Sequence, residues 1–286
     1  MNRSNIIRPR LHEWAFGLLL AVTALRLAAV GAWPLALGFG GMAALVPAAA
    51  AVATRWPGPV TSRVRLALFP VWVNVTYPLL GGVVAQLGMG SCDPALLRAD
   101  RWLFGETPAL WLAAAGNPLL SDLLSACYLA FFPAVTAAFV IAVMDPGAKG
   151  IRLFNGLITI YAIGFLGYTL VPAAGPHLVL PELAARAPQG GWLTLANAAV
   201  VAGGSNRVDV FPSLHLAITS FLMGFLFRFR RGWFFALAAP AVGLAAATVY
   251  LGYHYAVDLV AGLALAAAGL RFSSIPIRSD ESHPAF

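Results

Sequence analysis

Two histidines and an aspartate near the end of the chain have the types and spacing to do chemistry. In Tyr250-Leu251-Gly252-Tyr253-His254-Tyr255-Ala256-Val257-Asp258, the imidazole of His254 and the carboxylate of Asp258 lie four residues apart, on one face of a helix. Asp258 opens an otherwise uncharged apolar run from Leu259 to Leu270. A carboxylate in such a run costs about 2.5–3.5 kcal/mol even on the lenient insertion scale, so it needs a partner. His254, one turn away, is the nearest candidate. A carboxylate bonded to one ring nitrogen fixes the tautomer and leaves the other nitrogen free as a nucleophile. The plainer alternative is a buried His–Asp pair that only ties helices together.

A second cluster lies about forty residues upstream, in Asp209-Val210-Phe211-Pro212-Ser213-Leu214-His215. Proline suits the first turn of a helix, where its missing N–H costs nothing. The free N–H groups of that turn and the positive end of the helix dipole favour an anion such as phosphate. Ser213 offers a hydroxyl donor, and His215 is close enough to protonate a leaving oxygen. Taken alone, this segment reads equally well as a cap formed by Asp209 and Ser213, with an interfacial histidine beside it. Ser213 and His215 are two residues apart on a helix and cannot face each other as a dyad.

The elements that must hold these residues are membrane helices. The 286 residues are 60% hydrophobic and 10% charged, with a mean hydropathy of +0.81. A soluble domain carries about 25% charged residues. The 28 glycines and 20 prolines show no period, which excludes collagen and low complexity. Apolar runs at about 14–32, 34–53, 66–88, 121–144, 151–171, 211–227, 233–252 and 254–272 predict an all-α, polytopic bundle of about eight spans. The first run is too long for the apolar segment of a signal peptide. An amphipathic helix is expected near 95–104, in the loop of about 89–120, and a Pro/Gly-rich loop over about 172–210. Residues 1–65 read as an N-terminal hairpin, 66–272 as the domain carrying the chemistry, and 273–286 as a cytoplasmic tail.

The net charge of +7 does not mark a nucleic-acid partner, because only one Lys is present and no basic run is interleaved with exposed aromatics. The basic residues report topology instead. With the N-terminus inside, Arg98, Arg101, Arg186 and Arg207 fall outside and Arg26 within the first span, leaving 13 of the 18 basic residues inside. Both termini are therefore expected in the cytoplasm and the histidine clusters at the outer face. Arg228, Arg230 and Arg231 suit a cytoplasmic stop signal beside anionic headgroups. Arg26 is expected to snorkel outward or line a cavity. The Ala/Leu/Arg-rich composition suits a bacterial inner membrane. Cys92 and Cys127 read as unpaired apolar residues, and Asn74-Val75-Thr76 as an accidental glycosylation pattern inside a span. No carboxylate cluster suits a metal, and no cofactor is expected. The oligomeric state is not encoded legibly.

Taken together, P-S-L-H-x-A at 212–217 and Y-x-G-Y-H-Y-x-x-D-x-x-A-G at 250–262 resemble the type 2 phosphatidic acid phosphatase superfamily. Within it, the P-S-L-H form is similar to the branch containing inositol phosphorylceramide synthase. The segment Tyr168 to His177 adds weaker support. The resemblance implies a six-helix lipid phosphatase-like core, with His254 as nucleophile, Asp258 as its orienting carboxylate and His215 as general acid. It further implies a phosphohistidine intermediate and a lipid phosphate ester as substrate. Two cations of the lipid-phosphatase pattern are replaced here, by Ala247-Thr248 and by Gly175-Pro176-His177. Arg207 and His177, with Ser213 and the neighbouring backbone N–H groups, are the available phosphate contacts. The transferase branch also lacks that arginine, so the resemblance favours transfer of a phosphate-containing head group between lipids. Hydrolysis of a lipid phosphate or pyrophosphate is the alternative reading, and a transporter or scaffold with a degenerate site is a third.

Overall fold

The structure is a computed structural model that describes residues 9–185 and 190–276. Arg3, Arg8, Arg186, Arg278 and most of the expected tail lie outside the described residues. Fourteen helices and no strand occur among the described residues. In chain order they are α1 (Leu11–Ala29), α2 (Trp33–Arg55), α3 (Pro59–Gln86), α4 (Asp93–Phe104), α5 (Pro108–Ala114), α6 (Pro118–Leu129) and α7 (Phe131–Met144). The second half contains α8 (Ala148–Leu170), α9 (Pro176–Val179), α10 (Pro181–Ala185), α11 (Trp192–Gly204), α12 (Leu214–Phe229), α13 (Arg231–Tyr250) and α14 (Ala256–Ser273). Proline sets several starts, occupying the first turn of α2, α3, α4, α5, α6 and α9.

Seven segments are long and apolar enough to cross a membrane: α1, α2, α3, α6 with α7, α8, α13 and α14. Their number and apolar length make the chain a polytopic helical membrane bundle. The expected span at 211–227 differs from the structure. It is the 16-residue α12, which rises only about 24 Å at 1.5 Å per residue. Its expected first turn is not helical, because the buried Ser213 caps the helix and Phe211-Pro212 lies before the cap. The third span begins seven residues earlier than its apolar run, at Pro59, because the helix absorbs Arg65 through an ion pair. The region read as a loop over 172–210 contains α9, α10 and the apolar α11.

The bundle has two chemically different ends. At one, Glu13 of α1 accepts two bonds from Arg65 of α3, at 2.5 and 2.6 Å, and Nδ1 of His12 lies 2.7 Å from Asn155 of α8. The His12 ring meets the edges of Phe69 and Phe154. At the other end, Arg26 of α1 donates to the hydroxyl and carbonyl of Thr169 on α8, at 2.6 and 3.1 Å. Between them, residues from α1, α2, α3, α7, α8, α12 and α14 share one buried apolar cluster. Close backbone approach fixes the start of α12: a Cβ on Gly167 of α8 would lie 2.5 Å from the Pro212 ring.

Candidate active site

His254 sits in the connection between α13 and α14, and several contacts fix it there. The carbonyl of Thr248 accepts the N–H groups of both Tyr253 and His254. Gly252 takes the positive φ that closes the turn, at +73°. His254 is 2% exposed and Asp258 is fully buried. Their Nδ1 and Oδ2 atoms are 3.5 Å apart, slightly longer than a good hydrogen bond. Asp258 also accepts the N–H of Tyr255 at 2.9 Å, while its Oδ1 has no partner among the described residues.

The two sequence clusters, thirty-nine residues apart, meet across α12 and α14. Nε2 of His254 lies 3.4 Å from Nδ1 of His215, with the ring planes 68° apart. Two contacts set this meeting. The Ser213 N–H donates to the Asp258 carbonyl at 3.3 Å. Gly262 brings the α14 backbone against Ser213, where a Cβ would meet its carbonyl oxygen at 2.7 Å. Aromatic rings enclose His215, with Tyr128 and Phe131 at 4.7 and 4.6 Å between centroids.

Each of the other expected site residues has a clear place. His177 lines the same cavity as His215 and His254, and its Nδ1 is 3.1 Å from the carbonyl of Gly252. Burial lowers the His177 ring below its ordinary value, against the opposing effects of that carbonyl and of Asp209. Ser213 is buried as the cap of α12, its hydroxyl accepting the Leu216 N–H at 3.4 Å. It does not line the cavity. Arg207 stands on an exposed turn at φ +62° and does not line the cavity either. Asp209, by contrast, is not a helix cap. It accepts bonds from the hydroxyls of Tyr77 and Ser205, and it faces the cavity.

The cavity holds about 470 Å³. From the histidines it runs between α3, α7 and α8, past Val73, Val135 and Phe139. Its exposed lining residues, Asn74 and Pro78 on α3, Phe132 and Thr136 on α7, and Val200 and Gly204 on α11, put an opening on the flank of the bundle. Among the described residues no Lys or Arg lines it. No group of three or more metal-ligating side chains occurs among the described residues.

Two buried aspartates of α4 were not singled out by sequence. The amphipathic helix expected there is present, but Asp93 and Asp100 point inward, at 3% and 0% exposure. Asp100 accepts the Ala256 and Val257 N–H groups at 3.1 and 2.9 Å, so it caps α14 from another helix. Asp93 accepts the Ala174 and Gly175 N–H groups and the Tyr255 hydroxyl, at 2.8, 2.9 and 2.9 Å. Together they clamp the segments bearing His177 and His254. The one local signal was their seven-residue spacing, two turns apart on one helix face.

The sequence model of a family described as the PAP2 superfamily matches residues 94–272, from α4 through α14. No curated protein and no solved structure matches the chain at a significant level. The matched region holds the two histidine clusters and Asp100, and it begins one residue after Asp93. It leaves out α3, which contributes Val73, Asn74, Tyr77 and Pro78 to the cavity wall.

Proposed function

The chain belongs to the PAP2 superfamily, and from that premise we propose that it transfers a phosphate-containing head group from one membrane lipid to another. The observation that carries this reading is the 3.4 Å approach of His254 Nε2 and His215 Nδ1 at the closed end of a cavity with a flank opening. Nε2 of His254 attacks phosphorus, forming an N–P bond as the P–O bond to the donor's glycerol oxygen breaks. His215 gives its proton to that oxygen. Asp258 accepts from Nδ1 of His254, holding the reactive tautomer and stabilising the charged ring. In the second half, His215 takes the proton of an acceptor hydroxyl, whose oxygen attacks phosphorus and releases His254. A phosphoryl group cannot fit between nitrogens 3.4 Å apart, so substrate parts the rings as it enters.

Neutral imidazoles and helix-start N–H groups can hold the single negative charge of a phosphodiester without a guanidinium. His177 is the phosphate contact that lines the cavity. Arg207 would have to swing in from its exposed turn to serve as a second. Within the superfamily, Leu214 in the P-S-L-H motif points to the inositol phosphorylceramide synthase-like branch. Purified protein incubated with a labelled donor phospholipid and a lipid alcohol tests the reading. Label moving to the lipid alcohol is the expected result. Release of a water-soluble phosphate ester alone would replace transfer with hydrolysis, and no turnover of any lipid phosphate ester would overturn both.

A further inference from the structure

The cavity combines two features at odds with holding phosphate alone. No Lys or Arg lines it among the described residues, and one carboxylate, Asp209, does. Asp209 shares the cavity wall with His177, His215 and His254, and with Tyr128 and Tyr168. Its hydroxyl partner Tyr77 is a third tyrosine ring beside it. Phe165 joins Tyr77 and Tyr168 into a continuous aromatic wall, with centroids at 6.0 and 6.1 Å.

An anion placed beside that carboxylate is repelled, and a phosphomonoester dianion is repelled most. A cation is drawn by the carboxylate and by the electron-rich faces of the rings. The arrangement therefore suits a ligand with both charges, its phosphate against the histidines and its cationic group against Asp209.

We propose that Asp209, with Tyr77, Tyr128, Phe165 and Tyr168, forms a subsite for an alkylammonium group, so that the donor is a zwitterionic phosphodiester lipid. The inference rests on the phosphotransfer reading and names its substrate class. It also gives α3 a part in donor selection, since Tyr77 supplies both a wall and a hydroxyl to Asp209.

Two donors of equal shape test it: a phospholipid with a choline head, and the same lipid with a 3,3-dimethylbutyl head, in which carbon replaces nitrogen. The readout is diacylglycerol release, compared as kcat/KM. Wild-type protein is expected to prefer the choline lipid by roughly tenfold or more, the scale of a cation–π and carboxylate contact. Asp209→Asn removes the charge while keeping one acceptor oxygen, and a hydroxyl of Tyr77 or Ser205 can turn to accept from the new amide N–H, so the preference should collapse towards one. Equal wild-type rates on the two donors would overturn the subsite and leave phosphotransfer standing. An undiminished preference in Asp209→Asn, with both rates lowered alike, would reduce Asp209 to a structural role and overturn it too. Where that variant does not fold, the wild-type ratio decides. No release from any phosphodiester lipid would overturn the phosphotransfer reading, and the subsite with it.

Discussion

On the proposed mechanism His254→Ala takes away the attacking nitrogen, whereas His215→Ala takes away only a proton donor, so the two variants should fail in different ways. A p-nitrophenyl phosphodiester tells them apart, because nitrophenolate departs with little protonation. On this donor His215→Ala is expected to retain far more activity than on a natural lipid, within the 10²–10⁴-fold that general acid catalysis contributes. His254→Ala should be inactive on both and form no phosphoenzyme. Asp258→Asn should fall between, its imidazole present but no longer held in one tautomer. Equal losses on both donors would remove the case for separate roles. These three residues were legible in the sequence because each motif is local. Asp93, Asp100 and the pairing of Tyr77 with Asp209 were not, because their partners lie 162, 157 and 132 residues away. Nothing in the spacing of an isolated aspartate says that its partner is the start of a helix far along the chain.

Helix α4 illustrates the same limit at the scale of an element. Its existence and position followed from periodicity, but its role did not, because an amphipathic pattern does not say what its polar side meets. The buried Asp100 replaces an N-cap for α14, and it does not line the cavity. Asp100→Ala would leave the first N–H groups of α14 unsatisfied and let His254 and Asp258 drift. We expect kcat to fall by more than tenfold with KM little changed, and Asp100→Asn to recover part of the loss. A purely structural role would instead lower the amount of folded protein and leave the kcat of the surviving molecules intact. The α11 helix escaped the sequence reading because flanking glycines and prolines made residues 172–210 look like a loop. Hydropathy places the start of α12 three residues early because it does not register the cap at Ser213.

For the whole molecule, the distribution of basic residues predicts which side of the membrane the site faces. In a protein stripped of Cys92 and Cys127, Gly90→Cys introduces an exposed thiol near the site end, where a Cβ meets nothing within 4 Å. An impermeant thiol reagent should label it in intact cells, with any outer membrane made permeable. Labelling only after the inner membrane is lysed would put the site in the cytoplasm. The opposite end makes a separate prediction. Arg65→Met leaves Glu13 buried without its ion-pair partner, which typically costs about 3–5 kcal/mol. The melting temperature in detergent should drop sharply, and the added change Glu13→Gln should restore much of it. An unchanged midpoint in Arg65→Met would mean that the pair does not hold α1 against α3. Overall, the helical class, the histidine end of the bundle and most spans were legible, because hydropathy and charge act over whole segments. The closing of the two ends was not, since it rests on single side chains meeting across the bundle.

The contact between His215 and His254 gives the proposed mechanism a consequence for where its protons stand. With Asp258 drawing a proton to Nδ1 of His254, the Nε2 of that ring has only a lone pair to offer. The facing Nδ1 of His215 must then carry the hydrogen that joins them. The proposed mechanism thus starts with its acid loaded on the nitrogen that faces the nucleophile, each imidazole enforcing the tautomer of the other. A phosphodiester that slides between them inherits this order, with a bare nitrogen on one side and a proton on the other, and no prior reshuffling of hydrogens is needed before the first bond is made.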